Sequence, residues 1–214
     1  MIVIGQKLIM LSNMDIDKKY LALDLELNNA PDGSTPNPKI IQVGVAWGSI
    51  ADGLVGNIKT AKWYINPGDP IFPYITQLTG ITNDDISRYS VSHETVAEEL
   101  SEIIESNDMF VNPITWGGGD SSALLSEFRY RGVAFPHFGR RWVDIKTWYI
   151  YNRLSVGASA AGGLSKSMPK FGIHFKGTPH RADEDAFNTL RLFFAMIERQ
   201  NKMETIVRLA KGVV

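Results

Sequence analysis

The 214-residue chain has no cysteine, which removes disulfides, thiolate nucleophiles and Cys-ligated zinc or iron–sulfur sites together. Any metal must be held by oxygen or imidazole. No stretch approaches the ~20 apolar residues needed to span a bilayer, so no membrane partner is expected. An excess of positive charge is also missing. With 22 basic and 23 acidic side chains the net charge is −1, so the chain lacks the global basic field by which many nucleic-acid binders attract phosphate. Phosphate binding would have to be local, or helped by metal ions. The first eleven residues, MIVIGQKLIML, are apolar but broken by Lys7, with neither a basic leader nor a small-residue cleavage site. They do not read as a secretory signal, and Met14 offers a second start; the expectation is a soluble, cytoplasmic protein.

What is present suits one large domain. Apolar residues make up 44% of the chain, aromatics 10%, and no tract is low in complexity. Residues 20–25 (YLALDL) form a short apolar run, a buried strand, followed by a turn-rich insert at 28–38. Residues 40–47 (IIQVGVAW) and 62–66 (KWYIN) are the next strand candidates, and three strands joined by loops predict an antiparallel meander. Pro73 opens a short helix that Gly80 closes, and Thr82 caps another turn. Residues 93–106 (HETVAEELSEIIES) bury Val96, Leu100, Ile103 and Ile104 on one helical stripe. Strands are expected at 109–111 and 141–143, and helices at 121–131 and 145–154. A Gly/Ala/Ser loop follows at 156–163, then a long helix at about 182–200. Meander first and alternation afterwards imply an α/β fold: a mixed five-stranded sheet, antiparallel then parallel, flanked by helices.

Asp24 and Glu26 stand two apart at the end of the first strand, so both carboxylates project from one face of the sheet. They make a cradle for a divalent metal. By itself the spacing says little, because chance supplies about two such pairs at this acidic content, and Asp15/Asp17 and Asp183/Asp185 share it. The apolar LAL before Asp24 buries the strand and singles this pair out. Asp120 follows Trp116-Gly117-Gly118-Gly119 and precedes a helix, where an aspartate is an N-cap by default. His180 and Asp185 are five apart, a rotation of ~140° on a helix, so they converge only if His180 lies on the loop before it. Pro179 favours that arrangement. Asp144, ahead of IKTWYIYNRL, reads as an N-cap. No GxxxxGK and no strand–GxGxxG–helix unit is present, which sets nucleotide-triphosphate and dinucleotide folds aside.

Taken together and in this order, Asp-x-Glu on a first strand, a mid-chain Asp opening a helix and His-x-x-x-x-Asp near the C-terminus resemble the DEDDh group of the DnaQ-like 3′–5′ exonucleases, within the ribonuclease H-like superfamily. INPGDPIFPYITQLTGITNDDI (65–86) is similar to the stretch in which these enzymes carry Thr-Gly-Ile, and GTPHRADEDA (177–186) to their last motif. PKIIQVGVAW, WGGGD and GTPHRADEDA lean towards the exoribonucleases of the RNA-interference and histone-mRNA branch. Two features depart from the pattern: Gln42 stands where the family usually has Glu, and the loop at 156–166 is rich in Gly, Ala and Ser.

The resemblance implies an exonuclease domain over residues 20–201, with an N-terminal extension at 1–19 and a C-terminal tail at 202–214. It implies that Asp24, Glu26, Asp120 and Asp185 bind two Mg2+ or Mn2+ ions, with His180 as general base. The substrate would be the single-stranded 3′ end of RNA or DNA, releasing nucleoside 5′-monophosphates. Leu27, Asn28, Thr79 and Trp116 are candidate substrate contacts, and Leu25 and Leu27 are expected to point into the core opposite the acidic pair. A homodimer, or a polymerase or RNA-processing partner, stays open. Two rival readings remain: an inactive nucleic-acid-binding module of the same fold, and a ribonuclease H-type endonuclease.

Overall fold

The computed structural model describes residues 15–134, 138–139 and 141–211. The segment MIVIGQKLIML, Met14 and the last three residues of the expected tail lie outside them. Strands β1 (Tyr20–Asn28), β2 (Lys39–Gly48) and β3 (Lys59–Ile65) form the expected antiparallel meander, with a short helix α1 (Ile50–Val55) between β2 and β3. Helices α2 (Pro73–Thr79) and α3 (Asn83–Tyr89) follow, then β4 (Ser90–Val91) and α4 (His93–Glu105). The remaining elements are β5 (Ile114–Thr115), α5 (Gly119–Tyr130), β6 (Val143–Asp144), α6 (Ile145–Leu154), α7 (Leu164–Ser167), one 3-10 turn and the 29-residue α8 (Ala182–Ala210). The sheet order is β4-β3-β2-β1-β5-β6, antiparallel among β1–β3 and parallel at both flanks.

The mixed α/β architecture is the one expected, with four local corrections. A sixth strand, β4, pairs its two residues with Tyr64 and Ile65; two residues are too few to leave a periodic signal. The strand expected at 109–111 begins instead at Ile114, and Met109 makes only a bridge to Lys19. Asn112-Pro113 looks like a terminator in the sequence, but proline is tolerated at the first residue of a strand; its carbonyl accepts from Val143 N–H at 2.8 Å. Arg141 and Trp142 stay outside the strand expected at 141–143, which is Val143–Asp144. The last helix runs ten residues past the expected end at Gln200. No glycine or proline interrupts residues 182–211, so the backbone stays helical after its apolar stripe fades.

Strand alternation divides the core between the two faces of the sheet. Leu21, Leu23 and Leu25 of β1 pack with Val43, Val45 and Trp63 under α4 and α5, against Val96, Leu100, Leu124 and Phe128. Ala22 and Ala46 face the other way, where Leu190, Phe193 and Phe194 of α8 cover them. Alanines in that layer let α8 lie close to the strands. At its start the approach is closer still: a Cβ on Gly44 would sit 2.0 Å from the Ala182 carbonyl carbon. Only glycine fits there. Beside it the buried Gln42 accepts from Ala182 N–H through Oε1 at 2.9 Å. These two contacts seat the N-terminus of α8 on β2.

Candidate active site

Asp24 and Glu26 occupy alternate positions on the face of β1 opposite Leu23 and Leu25, as their spacing predicts. Leu25 is buried and Leu27 half-buried in the core behind them. Asp120 comes in from α5. Its expected role as N-cap is not what the structure shows: Gly118 is the N-cap and Asp120 lies inside the first turn. The three glycines let the chain turn into the helix two residues earlier than a polar cap would mark. There the Asp120 carboxylate faces the Leu25 backbone N–H, which favours the charged form against the burial that raises it. Asp144 is the expected cap, accepting from Lys146 N–H at 2.9 Å. It also accepts from Gly117 N–H at 2.9 Å and so braces the glycine turn beneath Asp120.

The final motif folds back on itself. His180 lies on the loop before α8 with φ +64°, and its N–H donates to Asp185 Oδ2 at 2.7 Å. A left-handed histidine is strained, and the carboxylate that holds it sits one turn into the helix. A second loop contact, Thr178 N–H to Glu184, lies alongside. Two residues five apart, which cannot share a helical face, therefore converge through the loop. Potential ligand atoms of Glu26, His180 and Asp185 all lie within 4.8 Å of one another.

Electrostatics mark the cluster as a crowd of acids that resist ionising together. Removal from water, followed by the charges of Asp120, Asp185 and Glu26, pushes the Asp24 carboxyl well above the usual range. Glu26 rises to about 8, first from burial and then from Asp185 and Asp120, with the Arg181 guanidinium pulling the other way. Asp120 and Asp185 each rise to about 6, again chiefly through burial. Crowded carboxylates that resist ionising gain most when a hard divalent ion joins them. A carboxylate-rich donor set with an adjacent imidazole fits such an ion, and the cysteine-free chain offers no thiolate to a softer one.

The four weaker candidates fare differently. Asn28 is buried, donating to the Pro70 carbonyl at 3.1 Å and accepting from Phe72 N–H at 2.9 Å, so its amide pins the loop before α2. Thr79 is buried, its hydroxyl engaged with Ile75 and Ile81 at the end of α2. Trp116 packs against Tyr149 with ring centroids 5.6 Å apart. Leu27, half-buried, also borders a groove beside the acidic cluster. Arg181 is the residue that sequence reasoning passed over. Its guanidinium donates to the Tyr64 hydroxyl at 2.7 Å and its charge acts on Glu26, a position signalled only by adjacency to His180.

Comparison with known proteins identifies the family and the fold. The exonuclease (RNase_T) family model matches residues 21–193, and the chain belongs to that family. It is similar to the probable 3′–5′ exonuclease KapD of Bacillus subtilis (strain 168), 27% identical over 181 residues that cover 81% of this chain and 82% of that protein. It is also similar to 3′–5′ exoribonuclease 1 of Mus musculus, 26% identical over 146 residues, 65% of this chain but 41% of that protein. The chain thus spans less than half the length of the mammalian relatives it matches. The nuclease domain of 3′hExo, a DEDDh family member solved bound to rAMP, superposes with a TM-score of 0.73 at 19% identity, covering 86% of this chain and 94% of that one. A 3′-exonuclease solved in recognition of the histone mRNA stem-loop gives 0.74 at 18% identity, over 92% of this chain and 71% of that one. At these identities the structures speak for the fold. Among the described residues no helix is long and apolar enough to cross a membrane.

Proposed function

We propose that the chain is a 3′–5′ exonuclease that removes nucleoside 5′-monophosphates from a single-stranded 3′ end of RNA or DNA. The observation that carries this reading is the convergence of Glu26, His180 and Asp185, from β1 and the start of α8, with ligand atoms within 4.8 Å of one another, while the charges of Asp24 on β1 and Asp120 on α5 act on the same carboxylates. The four carboxylates hold two Mg2+ or Mn2+ ions. When bound, such a pair lowers the pKa of a water and neutralises charge on the leaving oxygen.

The chain's own groups do the rest. His180, on its strained loop, takes the proton from the attacking water. Asp185 keeps the imidazole in place through the backbone of the histidine itself. Water adds to the terminal phosphate and the bond from phosphorus to the 3′ oxygen of the preceding nucleotide breaks. The phosphate leaves on the 5′ carbon of the released nucleoside, and the shortened strand keeps its 3′ oxygen. Glu26 and the backbone after it receive the terminal 3′ hydroxyl, with Arg181 moderating the charge of Glu26.

Strands labelled at the 5′ end and incubated with magnesium should give a ladder that shortens from the 3′ side, with mononucleotides from the first seconds. A 3′-phosphate adds about −1.5 to −2 charges beside carboxylates and should slow cleavage sharply. A closed single-stranded circle should survive. Early internal fragments, or cutting of the circle, would replace the exonuclease by an endonuclease, and inertness toward every strand would leave only a binding module.

A further inference from the structure

A groove of about 700 Å3 opens beside the acidic cluster, between the end of β1, the start of β2 and one face of α5. Gly119, next to Asp120, borders its inner end at the start of α5 and Tyr130 its outer end at the close of that helix, with Leu27 and Lys39 on the facing strands. We propose that this groove carries the nucleotides 5′ of the cut, with the Tyr130 ring as a stacking platform and the Lys39 ammonium as a phosphate contact. The inference rests on the exonuclease reading and deepens it.

Three observations support it. The groove starts beside the cluster, since Gly119, which lines it, precedes Asp120 in the first turn of α5. Its reach is too long for a terminal nucleotide. From Asp120 to Tyr130 is ten residues of helix, about 15 Å, against a spacing of ~3.4 Å per stacked nucleotide. Its occupant is therefore a continuing strand of about four nucleotides, and on a 3′ exonuclease that strand lies 5′ of the scissile bond.

The chemistry at the outer end matches a nucleic acid. Tyr130 is 80% exposed, far more than a ring held for packing, and Lys39 Nζ sits 5.3 Å from its centroid. An exposed aromatic face accepts any base, and the neighbouring cation supplies local positive charge on a chain whose net charge is −1. Glu127, the acid that borders the groove, is turned inward and does not oppose it. Its two oxygens meet His93 Nε2 and Ile40 N–H, each at 2.9 Å.

The test is a length series of 5′-labelled oligonucleotides, from two to eight residues, on the full chain and on Tyr130→Ala, Tyr130→Phe and Lys39→Ala. For the parent, KM should fall with length up to about four nucleotides beyond the cut and then level. Tyr130→Ala should raise KM on the longer strands by about 5–150-fold, the loss of one or so stacked bases, with the penalty shrinking as the strand shortens. kcat should move far less than KM, and Tyr130→Phe should restore the parent value. Lys39→Ala should raise KM and reduce the salt slope of binding by about 0.7, one phosphate on a single strand. Anisotropy of a labelled hexanucleotide with calcium in place of magnesium reads the groove without turnover. Weaker hexanucleotide binding in Tyr130→Ala upholds the groove even if no strand is cleaved, an outcome that removes only the exonuclease reading. A KM independent of length, an equal penalty on every length, or unaltered hexanucleotide binding in both Tyr130→Ala and Lys39→Ala overturns the proposal.

Discussion

Asp24, Glu26, Asp120 and Asp185 repel one another until a cation sits among them, and the repulsion has a measurable sign. Glu26 is raised from 4.5 to about 8, and Asp120 and Asp185 from 3.8 to about 6. In the window from about pH 4 to pH 8 the native state therefore binds more protons than the unfolded chain, and metal-free stability falls as pH rises through it. Asp24→Asn removes one of the charges. In EDTA it should melt higher than the parent at pH 8, by about 2–4 °C for each kcal/mol relieved, and the gap should narrow towards pH 5. A gap that ignores pH would mean the carboxylates are not in conflict. The same variant should lose turnover with magnesium. His180→Asn should cost about 10²–10⁴ in rate, the usual share of general-base catalysis, with magnesium affinity from calorimetry nearly unchanged. In the parent, protons compete with the metal for these acids below about pH 6, so added metal should recover part of the activity lost on the acid side. If raising magnesium tenfold at pH 5.5 recovers none, the acid limb belongs to another group.

The elements that carry these residues are held by backbone approach more than by side-chain bulk. A methyl on Gly44 meets the Ala182 carbonyl carbon at 2.0 Å, a backbone atom that cannot swing aside. Gly44→Ala should therefore displace α8 and cost about 3 kcal/mol or more, lowering activity in step because Asp185 rides on that helix. Gly118→Ala, where an added Cβ meets nothing within 4 Å, should melt close to the parent, and equal losses in the two variants would contradict the docking role. Gln42→Ala strands the Ala182 N–H in the core and should cost about 1–3 kcal/mol. None of this packing is legible in the sequence. A Gly two residues after a Gln inside IIQVGVAW reads as a weak spot in a strand, and its purpose appears only when residue 182 arrives against it. Helices with a clean apolar stripe or a strong cap were readable: α4 by Val96 and Leu100, α6 by Asp144, α2 by Pro73 and Gly80. β4 and β5 were not, because at two residues each their place comes from the strands beside them.

At the scale of the molecule, the acidic set was legible because each member carries its own local signature, an alternating pair on a buried strand or an acid in the first turn of a helix, and the order of those signatures is specific. The supporting groups were not. Asn28 and Thr79 lie close to the motifs and look like substrate contacts, yet tertiary folding spends them on pinning α2. Arg181 and Tyr130 look ordinary in the sequence and acquire meaning only from what faces them. The same long-range construction governs how the molecule is born. Asp24 and Asp185 are separated by 161 positions, and the helix that brings the second to the first docks on β2 only after most of the chain exists. At a synthesis rate of about 5–20 residues per second, the ribosome spends about 8–30 s with the first half of the metal cradle exposed and the last missing. The two halves of the acidic centre therefore meet only once α8 has emerged and docked on β2.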